Sequence, residues 1–215
     1  MCGRYSIFSP DEILEKRFGA KVQGKIFKHY NAAPSQILPV ITNEKPQAIQ
    51  PGIWGLRLKW LKDRPEGLIN ARAESVAEKP TFKHAFQKQR CLVICDGFFE
   101  WQRLKTGSQP FRIALKSNQP FAFAGLWEPY VFKDETLPSF TIITTEPNSL
   151  ISKIHDRMPV ILNPETEKTW LDLTSPIESL KKCLAVFPDD LLQVYPISKT
   201  VNAPTIDTVD ILKPI

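Results

Sequence analysis

Long hydrophobic runs are missing from this 215-residue chain. No apolar stretch reaches the ~18–20 residues that a membrane-spanning helix needs, and no charged-then-apolar leader opens the sequence. That predicts a soluble, intracellular protein with no membrane partner. Cysteine is sparse as well. Cys2, Cys91, Cys95 and Cys183, spread over a chain this long, do not read as a disulfide framework. Cys91 and Cys95 have three residues between them inside an apolar run, which is not a CxxC knuckle, so neither a zinc site nor a cofactor is expected. No internal repeat, low-complexity tract or linker interrupts the chain. Charge of one sign is only mildly in excess. The net charge of +5 is compatible with a nucleic-acid partner and does not require one.

Hydrophobic residues at 42% and charged residues at 24% are ordinary for a globular protein, and the length suits one domain with a full core. Nineteen prolines argue for many short elements joined by turns. Ser9-Pro10-Asp11-Glu12 has the pattern of a capping box with proline at the first helical position, and Gly19 ends the helix it starts. Leu14 and Phe18 supply its buried side. A second helix is predicted over Pro80–Gln89, with Phe82, Ala85 and Phe86 on one face. Ser175-Pro176-Ile177-Glu178 repeats the capping pattern, and Asn163-Pro164 opens a further short helix.

Strand signals lie between the helices. Cys91–Cys95, Phe111–Lys116, Phe121–Leu126, Phe140–Thr144, Pro159–Leu162 and Leu192–Ile197 carry the apolar runs or alternation expected of strands. Strands in succession with segregated helices predict an α+β fold. Its sheet should be extensive, mainly antiparallel, and curled in a barrel-like way.

The most informative residue is Cys2. An initiator methionine is removed when the next side chain is small, so the mature chain is expected to begin at Cys2. A terminal cysteine carries an amine and a thiol on adjacent carbons. The amine condenses with an aldehyde to a Schiff base, the thiol adds to the imine carbon, and a five-membered thiazolidine closes. Ordinary pKa values of about 7.7–8.0 and about 8.5 leave both groups partly deprotonated near neutrality.

Three further segments carry chemistry. In an extended conformation Asn70, Arg72 and Glu74 share one face, although a solvated edge strand reads the same way. Asp96-Gly97-Phe98-Phe99-Glu100-Trp101 sets a carboxylate among aromatics, where apolar neighbours raise its pKa toward general acid/base use. A glutamate turned outward beside inward aromatics is equally compatible with that pattern. His155-Asp156-Arg157 packs an imidazole, a carboxylate and a guanidinium ahead of an apolar strand. His29 and His84 have plainer surroundings. Trp54-Gly55-Leu56 and Tyr30-Asn31-Ala32-Ala33-Pro34 join flat or rigid apolar groups to turn formers; such groups stack on nucleobases or simply fill a core.

Taken together, Met1-Cys2-Gly3-Arg4-Tyr5, Tyr30–Pro34, Trp54-Gly55-Leu56, Asn70-Ala71-Arg72-Ala73-Glu74, Phe98–Trp101, Phe121–Glu128 and His155–Pro159 resemble the SRAP family. This is the SOS-response-associated peptidase family of abasic-site processing proteins. The likeness covers residues 1 to about Asn202, which implies one SRAP-like domain over 1–215 with a core of about 2–202 and a short C-terminal tail. Cys95-Asp96-Gly97 departs slightly from the residues common before the acidic motif.

The resemblance implies a covalent crosslink, as a thiazolidine, between Cys2 and abasic sites in single-stranded DNA. The lesion would be protected, with lyase-type strand cleavage and self-removal of Met1 as side activities. It implies catalytic roles for Cys2, Asn70, Glu100 and His155, with DNA contacts at Gly3, Arg4, Pro34, Trp54, Arg72 and Arg157. An arginine fork suits phosphate, and Gly3 lets a sugar-phosphate backbone approach the terminus. It further implies a cytoplasmic monomer, nucleoid-associated on DNA, with replication-fork proteins as candidate partners. Two other readings use the same residues. One is a cysteine peptidase or amidohydrolase with a terminal nucleophile, and the other is a non-catalytic single-strand binding module.

Overall fold

The structure is a computed structural model that describes residues 2–61, 64 and 66–215. Its strands, in chain order, are β1 (Tyr5–Ile7), β2 (Lys21–Val22), β3 (His29–Ala32), β4 (Ile37–Thr42), β5 (Ala48–Trp54), β6 (Asn70–Arg72) and β7 (Arg90–Cys95). They continue with β8 (Gly97–Leu104), β9 (Gly107–Leu115), β10 (Phe121–Phe132), β11 (Glu135–Thr145), β12 (Met158–Pro159), β13 (Ile161–Leu162) and β14 (Leu192–Pro196). Five short helices accompany them: α1 (Asp11–Phe18), α2 (Ala73–Val76), α3 (Pro80–Lys88), α4 (Pro164–Leu171) and α5 (Ile177–Lys182). None is long and apolar enough to cross a membrane.

The α+β expectation holds, and the sheet is curled to closure. Strands β11, β10, β7, β4 and β5 pair in that order, and β5 returns to β11 in parallel through Ser139↔Ile53 and Phe140↔Trp54. Closure removes the exposed edges that an open sheet would leave. The barrel interior is filled by alternating side chains, with Trp54, Phe123, Phe140, Val40 and Val93 fully buried. A second, antiparallel sheet runs β3-β1-β8-β9-β14.

Asp96 is the crossing point between the sheets, and Gly97 follows because a Cβ there would lie 2.8 Å from the Ile113 carbonyl oxygen. Arg90 is buried at the start of β7, where it donates to the carbonyls of Trp170, Phe86, Gln87 and Asp172. It thereby satisfies orphan groups at the ends of α3 and α4.

Helix signals succeeded in part. Gly19 ends α1 with φ of +63°, and α3 buries Phe82, Ala85 and Phe86 as the spacing predicts. Asn163 caps α4, accepting from the backbone of Glu165 and Thr166. The two serine capping patterns fail. Pro10 and Pro176 occupy the N-cap positions without side-chain bonds. Ser9 instead bonds Asp96 through both its amide and its hydroxyl, at 2.9 Å and 2.5 Å, and the Ser175 hydroxyl donates to Thr169. A long-range partner outbids the local cap at Ser9, and a carbonyl of the preceding helix does so at Ser175.

The predicted strands appear with shifted ends. β10 and β11 run well past the predicted segments as a long hairpin, and 159–162 divides into β12 and β13. The C-terminal residues are no loose tail. Ile197, Val201 and Ile211 pack with Phe99 in a second small core. Asp207 accepts from the backbone amides of Tyr30 and Asn31 and lies 2.9 Å from His29 Nδ1.

The excursion between β5 and β6 is pinned by Leu56 and Leu68, which exchange two backbone bonds of 3.0 Å. Gly55 makes this closure possible. Its φ is +126°, and a Cβ would stand 1.9 Å from the Glu66 carbonyl oxygen. Gly55→Ala is therefore expected to lower the melting temperature by roughly 5–10 °C, from a penalty of about 2–3 kcal/mol. An unchanged thermal melt followed by circular dichroism would show that the loop base yields freely.

Candidate functional site

The N-terminal strand sets the site. Tyr5 pairs with Phe98 and Ser6 with Gly97, and the Phe99 amide donates to the Arg4 carbonyl at 3.0 Å. Continuing this antiparallel register brings Gly3 level with Glu100, so Cys2 enters the space beside the glutamate. The Cys2 side chain is fully buried, and its Sγ–H makes a long 4.0 Å contact to the Arg4 carbonyl. Burial pushes the thiol well above its ordinary range, and the nearby charge of Glu100 adds to the shift. Cys91, Cys95 and Cys183 are also buried free thiols.

Glu100 is 2% exposed. Burial raises its carboxyl to about 7, as aromatic neighbours in the sequence suggested. The Oε2 atom of Glu100 lies 3.8 Å from His155 Nε2. Burial also lowers the His155 pKa, and the charge of Arg103 contributes in the same direction.

Both charge states of the imidazole have partners. The Arg157 amide donates to Nδ1 at 3.0 Å, which suits a neutral ring with its proton on Nε2, toward Glu100. Asp156 Oδ1, also 3.0 Å from Nδ1, suits the imidazolium. A carboxyl near neutrality and an imidazole with two accommodated protonation states have the chemistry an acid/base pair requires.

Asn70 and Arg72 lie on β6 beside β11, whose residues Ile142 and Thr144 pair with them in parallel. Asn70 Nδ2 donates weakly to the Ile142 carbonyl at 3.5 Å. Its Oδ1 is buried with no hydrogen-bond partner among the described residues, an acceptor left open. Arg72 is exposed. Glu74 does not continue their extended face, because the strand ends at Arg72 and Glu74 enters α2.

Three of the expected DNA contacts look different in three dimensions. Arg157 is only 15% exposed at its side chain. Its guanidinium holds Glu74 in a bidentate pair at 2.6 Å and 3.0 Å and donates to the Thr144 carbonyl at 2.5 Å. This cation is spent on fixing the His155 turn against β11 and α2.

Trp54 is fully buried in the barrel. Its ring centroid is 5.0 Å from that of Tyr5, and its indole N–H donates to the Ile69 carbonyl. It has no free face for a base. The exposed indole of this stretch is Trp60, at 65%. Its flanks, Lys59 and Leu61 in a turn instead of strand residues, were the available signal.

Arg4 is half-buried and donates to Asn31 Oδ1 at 2.8 Å and to the Val201 carbonyl at 3.0 Å. Buried Asn31 in turn donates to the carbonyls of Val201, Ala203 and Ile206. The C-terminal segment thus braces the strand that leads to Cys2. Pro34 is half-buried at a turn where Ser35, at φ of +71°, donates its amide to the Trp54 carbonyl. Sequence reading gave Asn31 no bracing role, because its partners Arg4 and Val201 are remote along the chain.

Residues 1–204 match the family described as SOS response associated peptidase, SRAP. The chain belongs to that family. Among SRAP relatives, the abasic site processing protein YoqW of Bacillus subtilis is 40% identical over 223 residues, covering 99% of each chain. The abasic site processing protein HMCES of Gallus gallus is 29% identical over 230 residues, covering 90% of this chain and 68% of its own. A crystal structure of a protein from Bacteroides thetaiotaomicron superposes with a TM-score of 0.88 at 28% identity, over the full length of both chains.

Proposed function

We propose that this SRAP protein processes abasic sites in DNA by joining them covalently to Cys2. The observation that carries the reading is the juxtaposition of a buried Cys2 with a Glu100 carboxyl raised to about 7 and His155 at 3.8 Å. The names of the YoqW and HMCES relatives point to the same substrate class.

The chemistry balances without a cofactor. Hydrolysis of the Met1–Cys2 bond frees the Cys2 amine. Proton exchange with His155 and Glu100 opens the hemiacetal of the abasic sugar to its aldehyde. The amine then adds to C1′ and water leaves, giving a Schiff base. Burial keeps the thiol protonated, so its attack on the imine carbon must be coupled to proton removal. The Glu100 carboxylate accepts that proton as the carbon–sulfur bond forms, and the ring nitrogen gains one. The open Asn70 Oδ1 is an acceptor for a sugar hydroxyl, and exposed Arg72 is a cation for phosphate. The Schiff base also permits β-elimination, the basis of a side lyase activity.

Intact mass of the purified protein, with and without single-stranded DNA bearing one abasic site, tests the reading. The expected result is a chain lacking Met1 that gains one oligonucleotide, less one water, in an adduct surviving denaturation without reductant. Purely reversible binding would overturn it, and turnover of peptide amides without DNA would favour a peptidase instead.

A further inference from the structure

A groove lies outside the Cys2–Glu100–His155 cluster and shares no residue with it. Its volume is about 570 Å³, and its walls are the loop that follows Leu56 and the far part of the β10–β11 hairpin. Arg57, Lys59 and Arg64 line it together with Pro129, Tyr130 and Thr136, and among the described residues no Asp or Glu does. The Arg57 guanidinium stands 5.5 Å from the centre of the Tyr130 ring. Arg57 Nε is buried without a hydrogen-bond partner among the described residues. Glu128, the nearest acid before Pro129 in sequence, lies 4.0 Å from His84 and also feels the charge of Lys59. Lys59 and Trp60 are exposed beside the groove.

We propose that this groove binds a segment of polynucleotide, with phosphates on Arg57 and Lys59 and a base stacked at Tyr130. Three lining cations with no carboxylate among the described lining residues favour a polyanion, and an aromatic wall adds affinity only for a polyanion that carries π-faces. The same loop leads through Leu68 directly into β6, which holds Asn70. The groove is thus placed to hold nucleic acid on one side of a lesion. This inference rests on the DNA reading above.

The test compares the wild type, Arg57→Ala/Lys59→Ala, Tyr130→Ala and Tyr130→Phe, each checked for an unchanged thermal melt. Fluorescence anisotropy measures binding to an undamaged oligo-dT, and crosslinking to abasic DNA is followed at saturation. The double variant should lower the salt slope of binding by about 1.4, from two contacts at about 0.7 each. Tyr130→Ala should weaken oligo-dT binding roughly tenfold, within the range that stacking supplies, and Tyr130→Phe should restore it. Saturated crosslinking should be unchanged in all of them.

An unaltered slope in the double variant, or wild-type affinity in Tyr130→Ala, overturns the proposal. So does inorganic polyphosphate bound as tightly as oligo-dT by wild type and Tyr130→Ala alike, because the groove would then read charge alone. A wild type that never crosslinks but binds oligo-dT through these residues supports the groove while sinking the covalent reading.

Discussion

Replacing Cys2 with alanine should abolish every adduct that survives heat without a reductant. Alanine is small enough for Met1 to be removed, so the variant still presents a terminal amine. That amine can form a Schiff base with the abasic aldehyde, but no thiol remains to add to the imine carbon. The imine stays open to hydrolysis, and heating returns free protein and free DNA. Borohydride should still trap a fraction, because reduction needs only the imine. The cavity left by one sulfur in the buried site costs about 1 kcal/mol or less, too little to unfold the protein and mimic the effect. Denaturing gels of the two proteins with the same abasic oligonucleotide provide the measurement. A full yield of heat-stable adduct from Cys2→Ala would remove the thiazolidine from the mechanism.

Glu100→Gln should slow adduct formation by roughly 10²–10⁴-fold at saturating DNA, the range that a positioned acid/base group contributes. The amide keeps the shape of the carboxyl but cannot take the thiol proton. The same change should stabilise the fold at alkaline pH. Burial raises the Glu100 carboxyl to about 7, whereas in the unfolded chain it titrates near the ordinary value of about 4.3. As pH rises through that window the unfolded chain releases its proton first, so wild-type stability falls with pH. The loss is complete above about 7 and amounts to at most about 4 kcal/mol. Glu100→Gln has no such loss. Its melting temperature should match wild type near pH 4 and exceed it at pH 8. Equal melting temperatures at both pH values would show that Glu100 ionises unhindered, and a wild-type rate would show that Cys2 reacts without it.

Proton affinity and geometry answer to different distances along the chain. The elevated Glu100 carboxyl was legible because its neighbours Phe98, Phe99 and Trp101 are bulky and apolar, and β8 buries that part of the strand. The α3 face and the Asn163 cap were legible for the same reason, since helix spacing and a three-residue cap are local. Local patterns failed where a remote atom offered a better bond. Ser9 looks like a helix cap until Asp96, 87 residues away, accepts from it. Arg157 looks like a phosphate ligand until Glu74, 83 residues away, fills its fork.

The two tryptophans show the same limit. Trp54 and Trp60 carry the same side chain six positions apart, but closure of β5 onto β11 buries the first, whereas a turn exposes the second. The sequence by itself named the proposed reagent, because once Met1 is removed the amine and thiol of Cys2 need no fold to be a 1,2-aminothiol. It also determined the α+β class and the SRAP likeness, through strand alternation and ordered motifs. Only the tertiary structure decided which groups meet that reagent. The distance from Glu100 to His155 spans 55 residues of chain, and barrel closure and the β1–β8 register, which depend on long-range pairing, set it.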